Sequence, residues 1–220
     1  MSKYFTRLFS EQDRAAIAQA IAQAEGRTAG EIVPYVVEQS DDYEIALWRG
    51  GMFVLLLVIT ALLLVRLYSS HWLNLPFLST AVLVLAAQGT GMLATHFLPP
   101  VRRFFAGANL IEQRVNQRAA VAFLNEEIFR TRDRTGILIF LSLLERKVVV
   151  LGDAGINAKV EQRDWDEVVR LITEGMRAGT PAQALITAIK KCGELLERKG
   201  VSPRPGDTSE LADKLRFADR

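Results

Sequence analysis

Between Gly50 and Val101 only one residue, Arg66, carries a charge. The stretch from Gly51 reads GMFVLLLVITALLLVRLY, and from Trp72 the chain continues WLNLPFLSTAVLVLAAQGTGMLATHFL. A transmembrane helix needs roughly 20 mostly apolar residues to cross about 30 Å of hydrocarbon. Two such segments fit, joined by a short loop around Ser69, Ser70, His71 and Trp72. Neither shows the polar stripe by which a surface helix of a soluble protein faces water. The spacing therefore predicts a transmembrane helical hairpin over 49–101, leaving enough chain for one compact domain of about 150 residues.

The flanks give the hairpin a direction. Arg102, Arg103, Arg114 and Arg118 follow the second span and Arg49 precedes the first, while the loop carries no Lys or Arg. Positive residues collect on the cytoplasmic side. The expected topology is two spans in a cell inner membrane with both termini cytoplasmic and the loop translocated, Tyr68 and Trp72 serving as interfacial aromatics. In the second span the small residues Ala87 and Gly91, and Thr90 and Ala94, repeat at i, i+4 and suit close helix packing. Gln88 and His96 are too few to line an ion pathway. A formal net charge of +2 offers no field for nucleic acid.

Outside the hairpin, helices and strands mix. Ser10 is an N-cap candidate with Glu11 and Asp13 on the first turn, and Ile17, Ala20, Ile21 and Ala24 form an apolar stripe. Glu31 to Gln39 reads as a strand, with Pro34 pointing to an edge position. A long helix follows from about Leu110 to Arg132, its stripe made by Ile111, Val115, Ala119 and Ala122. Ile137 to Glu145 and the run from Val148 read as two strands joined by a tight antiparallel turn. Asp164 and Glu167 suggest a capping pair for a helix ending at Gly179. Thr180-Pro181 opens another, with Leu185, Ala188, Ile189, Cys192 and Leu196 inward. Residues 201–220, with Pro203, Pro205 and Gly206, read as a flexible tail. The expected division is thus 1–48 for the first helix and strand, 49–101 for the hairpin, 102–200 for the rest of the domain, and 201–220 for the tail.

No standard catalytic signature is present. Both histidines, His71 and His96, lie at membrane ends, which leaves no His-based nucleophile in the soluble part. What remains are carboxylates at strand ends: Glu31, Asp133, Glu145 and Asp153, with Arg134 and Arg146 beside them. Glu31, Asp133 and Asp153 are the metal-ligand candidates, because a hard divalent cation such as calcium or magnesium takes oxygen ligands. Solvated turn residues are the bland alternative for each. No other cofactor is suggested.

Three groups of residues carry a family resemblance: Arg134-Thr135-Gly136, the S-L-L-E-R stretch from Ser142 to Arg146, and Leu151-Gly152-Asp153 with Gly155-Ile156. Together with Thr28, Glu31 and Ile32 before the hairpin and Trp165 after it, they make the chain resemble the TPM domain family, in its two-span bacterial membrane branch. The resemblance implies a three-layer α/β/α sandwich with a small mixed sheet, interrupted by the hairpin. It further implies either an accessory or assembly factor that binds a membrane-protein partner or a second copy of itself, or a metal-dependent acid phosphatase-like hydrolase. In the second case the carboxylates would surround a cation, and Arg134 or Arg146 would hold phosphate.

Overall fold

In the computed structural model, which describes residues 8–68, 76–203, 205 and 210–218, the chain divides into two compact units. The first comprises Met1–Asp41 with Arg114–Arg220, and the second Asp42–Gln113.

The first unit opens with α1 (Glu11–Glu25), started by a reciprocal capping box. The Asp13 amide donates to Ser10 Oγ at 3.1 Å, and the Ser10 amide donates to Asp13 Oδ2 at 2.9 Å. Such a cap contributes about 1 kcal/mol. Ile17, Ala20, Ile21 and Ala24 are all buried, as their spacing predicts. Strand β1 (Glu31–Val37) follows, buried along its whole length. Strands β2 (Gly136–Ser142) and β3 (Lys147–Gly152) are joined by a four-residue turn, with Arg146 in the left-handed region at φ 54. Glu-Arg therefore does not have to form a two-residue primed turn; longer hairpin loops are built around ordinary turn geometry.

Next come α6 (Ala154–Asn157), α7 (Asp166–Ala178) and α8 (Pro181–Arg198). Gly179 closes α7 at φ 77, a conformation that costs glycine little. The capping box expected from Asp164 and Glu167 lies one turn earlier: Glu161 and Asp164 cap a short 3₁₀ turn, Gln162–Trp165, that precedes α7. That turn drives Trp165 fully into the core.

Strand order in the sheet is β3-β2-β1-β4, where β4 is Arg216–Ala218. Strands β1 and β2 pair in parallel from Glu31↔Gly136 to Val37↔Ser142. Strand β3 pairs antiparallel with β2, and β4 parallel with β1, so the sheet is mixed. The segment read as a flexible tail thus supplies a sheet strand through Arg216–Ala218; Gly206 lies outside the described residues. Phe217 explains the ordering, since its ring meets Phe9 edge-on at 5.8 Å.

Pro34 sits in an inner strand rather than on the edge its sequence suggests. The Glu31 amide donates to Thr135, and the Val37 carbonyl accepts from Leu143, so odd-numbered residues of β1 address β2. Pro34, being even-numbered, faces the other side, where pairing with β4 starts only at Tyr35. Its missing N–H removes no ladder bond.

Ile32, Val36, Ile137, Ile139 and Leu141 share one apolar core with the inward faces of α1, α7 and α8. Each large aliphatic side chain buried there contributes roughly 1.5–3 kcal/mol. Cys192 is part of this core, fully buried, its thiol pushed up to about 12 by burial. On the opposite sheet face Val33, Tyr35, Leu138 and Phe140 are equally buried. The buried stripe Val115, Ala119 and Ala122 belongs to α5 (Ala108–Asn125), which gives the third layer. This helix is shorter than the sequence suggests, because Glu127 turns left-handed at φ 53. The last expected turn becomes a separate 3₁₀ segment, Ile128–Arg130.

The second unit is built on α2 (Glu44–Tyr68) and α3 (Phe77–Phe97). Both are long and apolar enough to cross a membrane. In each, only 11% of the most apolar window is buried, unlike a core helix of a soluble protein. Their contact runs along glycines: a Cβ on Gly50 would fall 1.9 Å from Thr95 Oγ1, and one on Gly91 2.6 Å from the Gly50 carbonyl oxygen. The packing face of α3 is Ala87, Gly91 and Thr95. Of the two expected small-residue rows, Ala87/Gly91 makes this face, while Thr90 is exposed. A short helix, α4 (Pro99–Ala106), follows after the break at Leu98. Ser69, Ser70, His71 and Trp72 of the inter-span loop lie outside the described residues.

Candidate functional site

The six charged residues singled out in the sequence fall at two opposite ends of the sheet. Glu31, Asp133, Arg134 and Asp153 lie where β1 and β2 begin and β3 ends. Glu145 and Arg146 lie in the turn where β2 ends and β3 begins. Seven-residue strands separate the two groups by about 20 Å.

At the first end, Asp153 caps α6. Its Oδ1 accepts from the Ala154 amide at 2.7 Å, and its own amide donates to the Gly136 carbonyl at 2.9 Å. Arg134 grips the same carboxylate from the opposite side, with Nε 2.7 Å from Oδ2 and Nη2 donating to Oδ1 at 2.9 Å. The guanidinium also lies over the Phe129 ring, 5.9 Å from its centroid. Gly155 closes the corner by donating its amide to the Arg134 carbonyl at 2.9 Å. A Cβ on Gly155 would come within 2.2 Å of the Asp133 carbonyl oxygen. Arg134-Thr135-Gly136 and Gly152-Asp153-Ala154-Gly155 are therefore two halves of one locked corner.

Glu31 turns away from that corner. Its two carboxylate oxygens accept from the amides of Glu210 and Leu211, each at 3.2 Å, and so tie down the segment leading to β4. Beside it, Glu25 Oε1 accepts from the Ile32 amide at 2.7 Å, on the side of β1 that has no strand neighbour there. Burial pushes the Glu25 carboxyl up to about 9, and the nearby Glu31 and Asp213 carboxylates push the same way, against the Ile32 hydrogen bond. Glu31 is likewise raised, first by burial, against its two amide donors.

At the second end, Glu145 is 6% exposed, and its oxygens accept from the Ser40 amide at 2.8 Å and the Ser142 hydroxyl at 2.5 Å. The Ser40 and Ser142 hydroxyls are themselves 2.7 Å apart. This hydroxyl–hydroxyl–carboxylate chain clasps the exit of β1 to the β2–β3 turn. Ser142 is fully buried, which shuts it off from any substrate. Arg146 is exposed beside the clasp.

Among the described residues, no group of three or more His, Cys, Asp or Glu side chains is placed to hold a metal ion. Asp153 is held by Arg134 and the Ala154 amide, Glu31 by Glu210 and Leu211, and the structure does not bring them together with Asp133. Chemically, both ends close loops and cap helices. Ser40 is not visible as a site residue in the sequence because Glu145 lies 105 residues away, and Glu25 and Asp213 because folding brings the end of α1 beside the segment leading to β4.

The two units together define a class: an α/β sandwich domain interrupted by a pair of apolar helices of membrane-spanning length. The family model described as the TPM domain matches residues 103–195, so the chain carries a TPM domain. That match begins after the hairpin and leaves out α1 and β1, although β1 belongs to the same sheet and α1 packs into the same core. Of solved structures, the NMR structure of the BA42 protein from the psychrophilic bacterium Bizionia argentinensis is similar, with a TM-score of 0.57 and 18% identity. The similarity covers 96% of this chain and 95% of that one, and at this identity it speaks for the fold alone. No curated protein matches the sequence.

Proposed function

We propose that the chain is a membrane-anchored TPM domain acting as an accessory or assembly factor, with the hairpin holding the domain at the bilayer and the domain binding a membrane-protein partner or a second copy of the chain. The observation that carries this reading is the apolar exposure of the hairpin. Leu63, Leu67 and Phe77 are exposed on helices that bury little beyond their shared glycine seam. In water that surface would associate without limit; in hydrocarbon it needs no cover. Of the carboxylates that would serve a hydrolase, Glu31, Glu145 and Asp153 are engaged in holding corners of the sheet.

The resemblance to the two-span bacterial branch implies a bacterial inner membrane, and the arginines flanking the spans argue for cytoplasmic termini. Excision of the full chain in native lipid nanodiscs, followed by mass measurement, tests the partner reading. A mass above one chain, from a second copy or a co-purifying membrane protein, supports it. A bare monomer at native expression level contradicts it.

A further inference from the structure

Helix α4 has a clamped geometry that anchoring by two spans does not require. Pro99 disfavours a helical conformation in the residue before it, and Leu98 accordingly leaves α3 at φ −105, ψ 101. The chain then turns into α4, which Gly107 ends at φ 83. Arg49, from the first span, donates through Nη1 to the carbonyls of Phe105 at 3.0 Å and Ala106 at 3.2 Å. These are last-turn carbonyls that the helix itself cannot satisfy. The Phe105 ring packs on Phe53 of the first span, with centroids 5.7 Å apart. Arg102 donates to the His96 carbonyl at the end of α3. The short helix is thereby pinned to one end of the hairpin, on the side where Arg49, Arg102 and Arg103 collect.

The clamp leaves an apolar edge uncovered. On α4 the exposed Pro100 and Phe104 stand at i and i+4, with Phe104 77% exposed, and Phe97, which ends α3 just before the break at Leu98, is 70% exposed. Arg102 and Arg103 lie on the same short helix, and the Arg49 guanidinium reaches its last turn. Apolar residues on one side of a short helix with cations beside them are the pattern of a helix lying in a membrane interface.

We infer that α4 is an interfacial helix seated at the headgroup–acyl boundary of an anionic phospholipid leaflet. Phe97, Pro100 and Phe104 enter the acyl region, while Arg49, Arg102 and Arg103 meet the lipid phosphates. The inference rests on the membrane-anchored reading above, and its test separates the two.

Cys192 is fully buried, so nitroxide labels on the full chain react at an introduced cysteine, and the unsubstituted protein serves as the unlabelled control. Leu56→Cys reports on the span, Phe104→Cys on α4 and Glu167→Cys on water. Each is reconstituted in nanodiscs of phosphatidylcholine alone or with phosphatidylglycerol, and accessibility to oxygen and to a water-soluble nickel chelate is measured. The expected result is a Leu56 label deep in hydrocarbon and a Phe104 label at boundary depth, deeper with phosphatidylglycerol. Double substitution of Arg102 and Arg103 by Gln removes that lipid dependence. A Phe104 label as chelate-accessible as the Glu167 label, with Leu56 still deep, overturns the interfacial helix and leaves the anchor intact. So does a Phe104 label shielded from both reagents, which would mean that protein covers it. Equal depth in both lipids overturns the anionic assignment. A Leu56 label in water overturns the anchor itself.

Discussion

Arg134 holds the carboxylate of Asp153 with two nitrogens, Nε 2.7 Å from Oδ2 and Nη2 2.9 Å from Oδ1, while adopting a left-handed backbone at φ 57. Such a conformation is uncommon for a residue with a Cβ and persists where the surroundings fix it. Here the Gly155 amide on the Arg134 carbonyl and the Asp153 cap of α6 do so. The pair is a joint between β2 and α6.

Removing the joint has a calculable cost. Asp153→Ala loses a helix cap and leaves Arg134 without its carboxylate; the cap alone is worth about 0.5–2 kcal/mol. The guanidinium is half exposed, so water screens the charge term and it adds at most about 1 kcal/mol. Asp153→Asn keeps an acceptor for the Ala154 amide and is the milder change. Unfolding in detergent by urea should rank wild type, Asp153→Asn and Asp153→Ala in falling order of stability. An Asp153→Ala midpoint equal to wild type would show that the joint bears no strain.

The carboxyls under the edge of β1 set a pH dependence. Glu25 is raised from 4.5 to about 9 in the folded protein, so between those values the native state binds more protons than the unfolded chain. Stability from this group is therefore fully present below about 4.5 and is lost as pH rises through about 9. The slope is at most about 1.4 kcal/mol per pH unit, and partial exposure reduces it. Glu31, also raised, acts in the same direction. Glu25→Gln keeps an acceptor for the Ile32 amide and removes the titration, so its thermal midpoint should change less between pH 5 and 9 than that of wild type. Parallel curves for the two proteins would exclude Glu25 as the source.

Two glycines of α3 should respond oppositely to the same change. A Cβ on Gly91 meets the Gly50 carbonyl oxygen, a backbone atom, at 2.6 Å, whereas nothing lies within 4 Å of one on Gly89. Gly91→Ala should destabilise the hairpin by about 1–3 kcal/mol through overpacking. Gly89→Ala should be neutral or slightly stabilising, because alanine is the better helix former. Thermal midpoints of both variants in one detergent check this; equal midpoints would contradict the glycine seam.

Local rules made much of the fold legible. The stripe Ile17–Ala24, the cap at Ser10, the stop at Gly179 and the two strands around Glu145 each depend on residues within one or two turns. The hairpin was legible for the same reason. The rest depended on distant partners. Strand β4 forms because β1 offers an open edge and Phe9 a surface for Phe217, neither visible from a segment carrying Pro203, Pro205 and Gly206. The site residues show the same limit: Glu31, Asp153 and Glu145 stand at strand ends as read, yet their partners are Leu211, Arg134 and Ser40. Ser142 lies three residues from Glu145 and Arg134 19 from Asp153, whereas Ser40 and Leu211 lie 105 and 180 residues from the carboxylates they meet. Carboxylates at strand ends carry no mark in the sequence that tells a ligand set from a set of clasps.

Under the proposed function, the paired helices Glu44–Tyr68 and Phe77–Phe97 embed the TPM domain in a bilayer. Extraction of membranes from cells expressing the full chain, with alkaline carbonate followed by ultracentrifugation, distinguishes an embedded chain from a peripheral one. The protein is expected to stay in the pellet and to be released only by detergent. Recovery of the intact chain in the carbonate supernatant would contradict it.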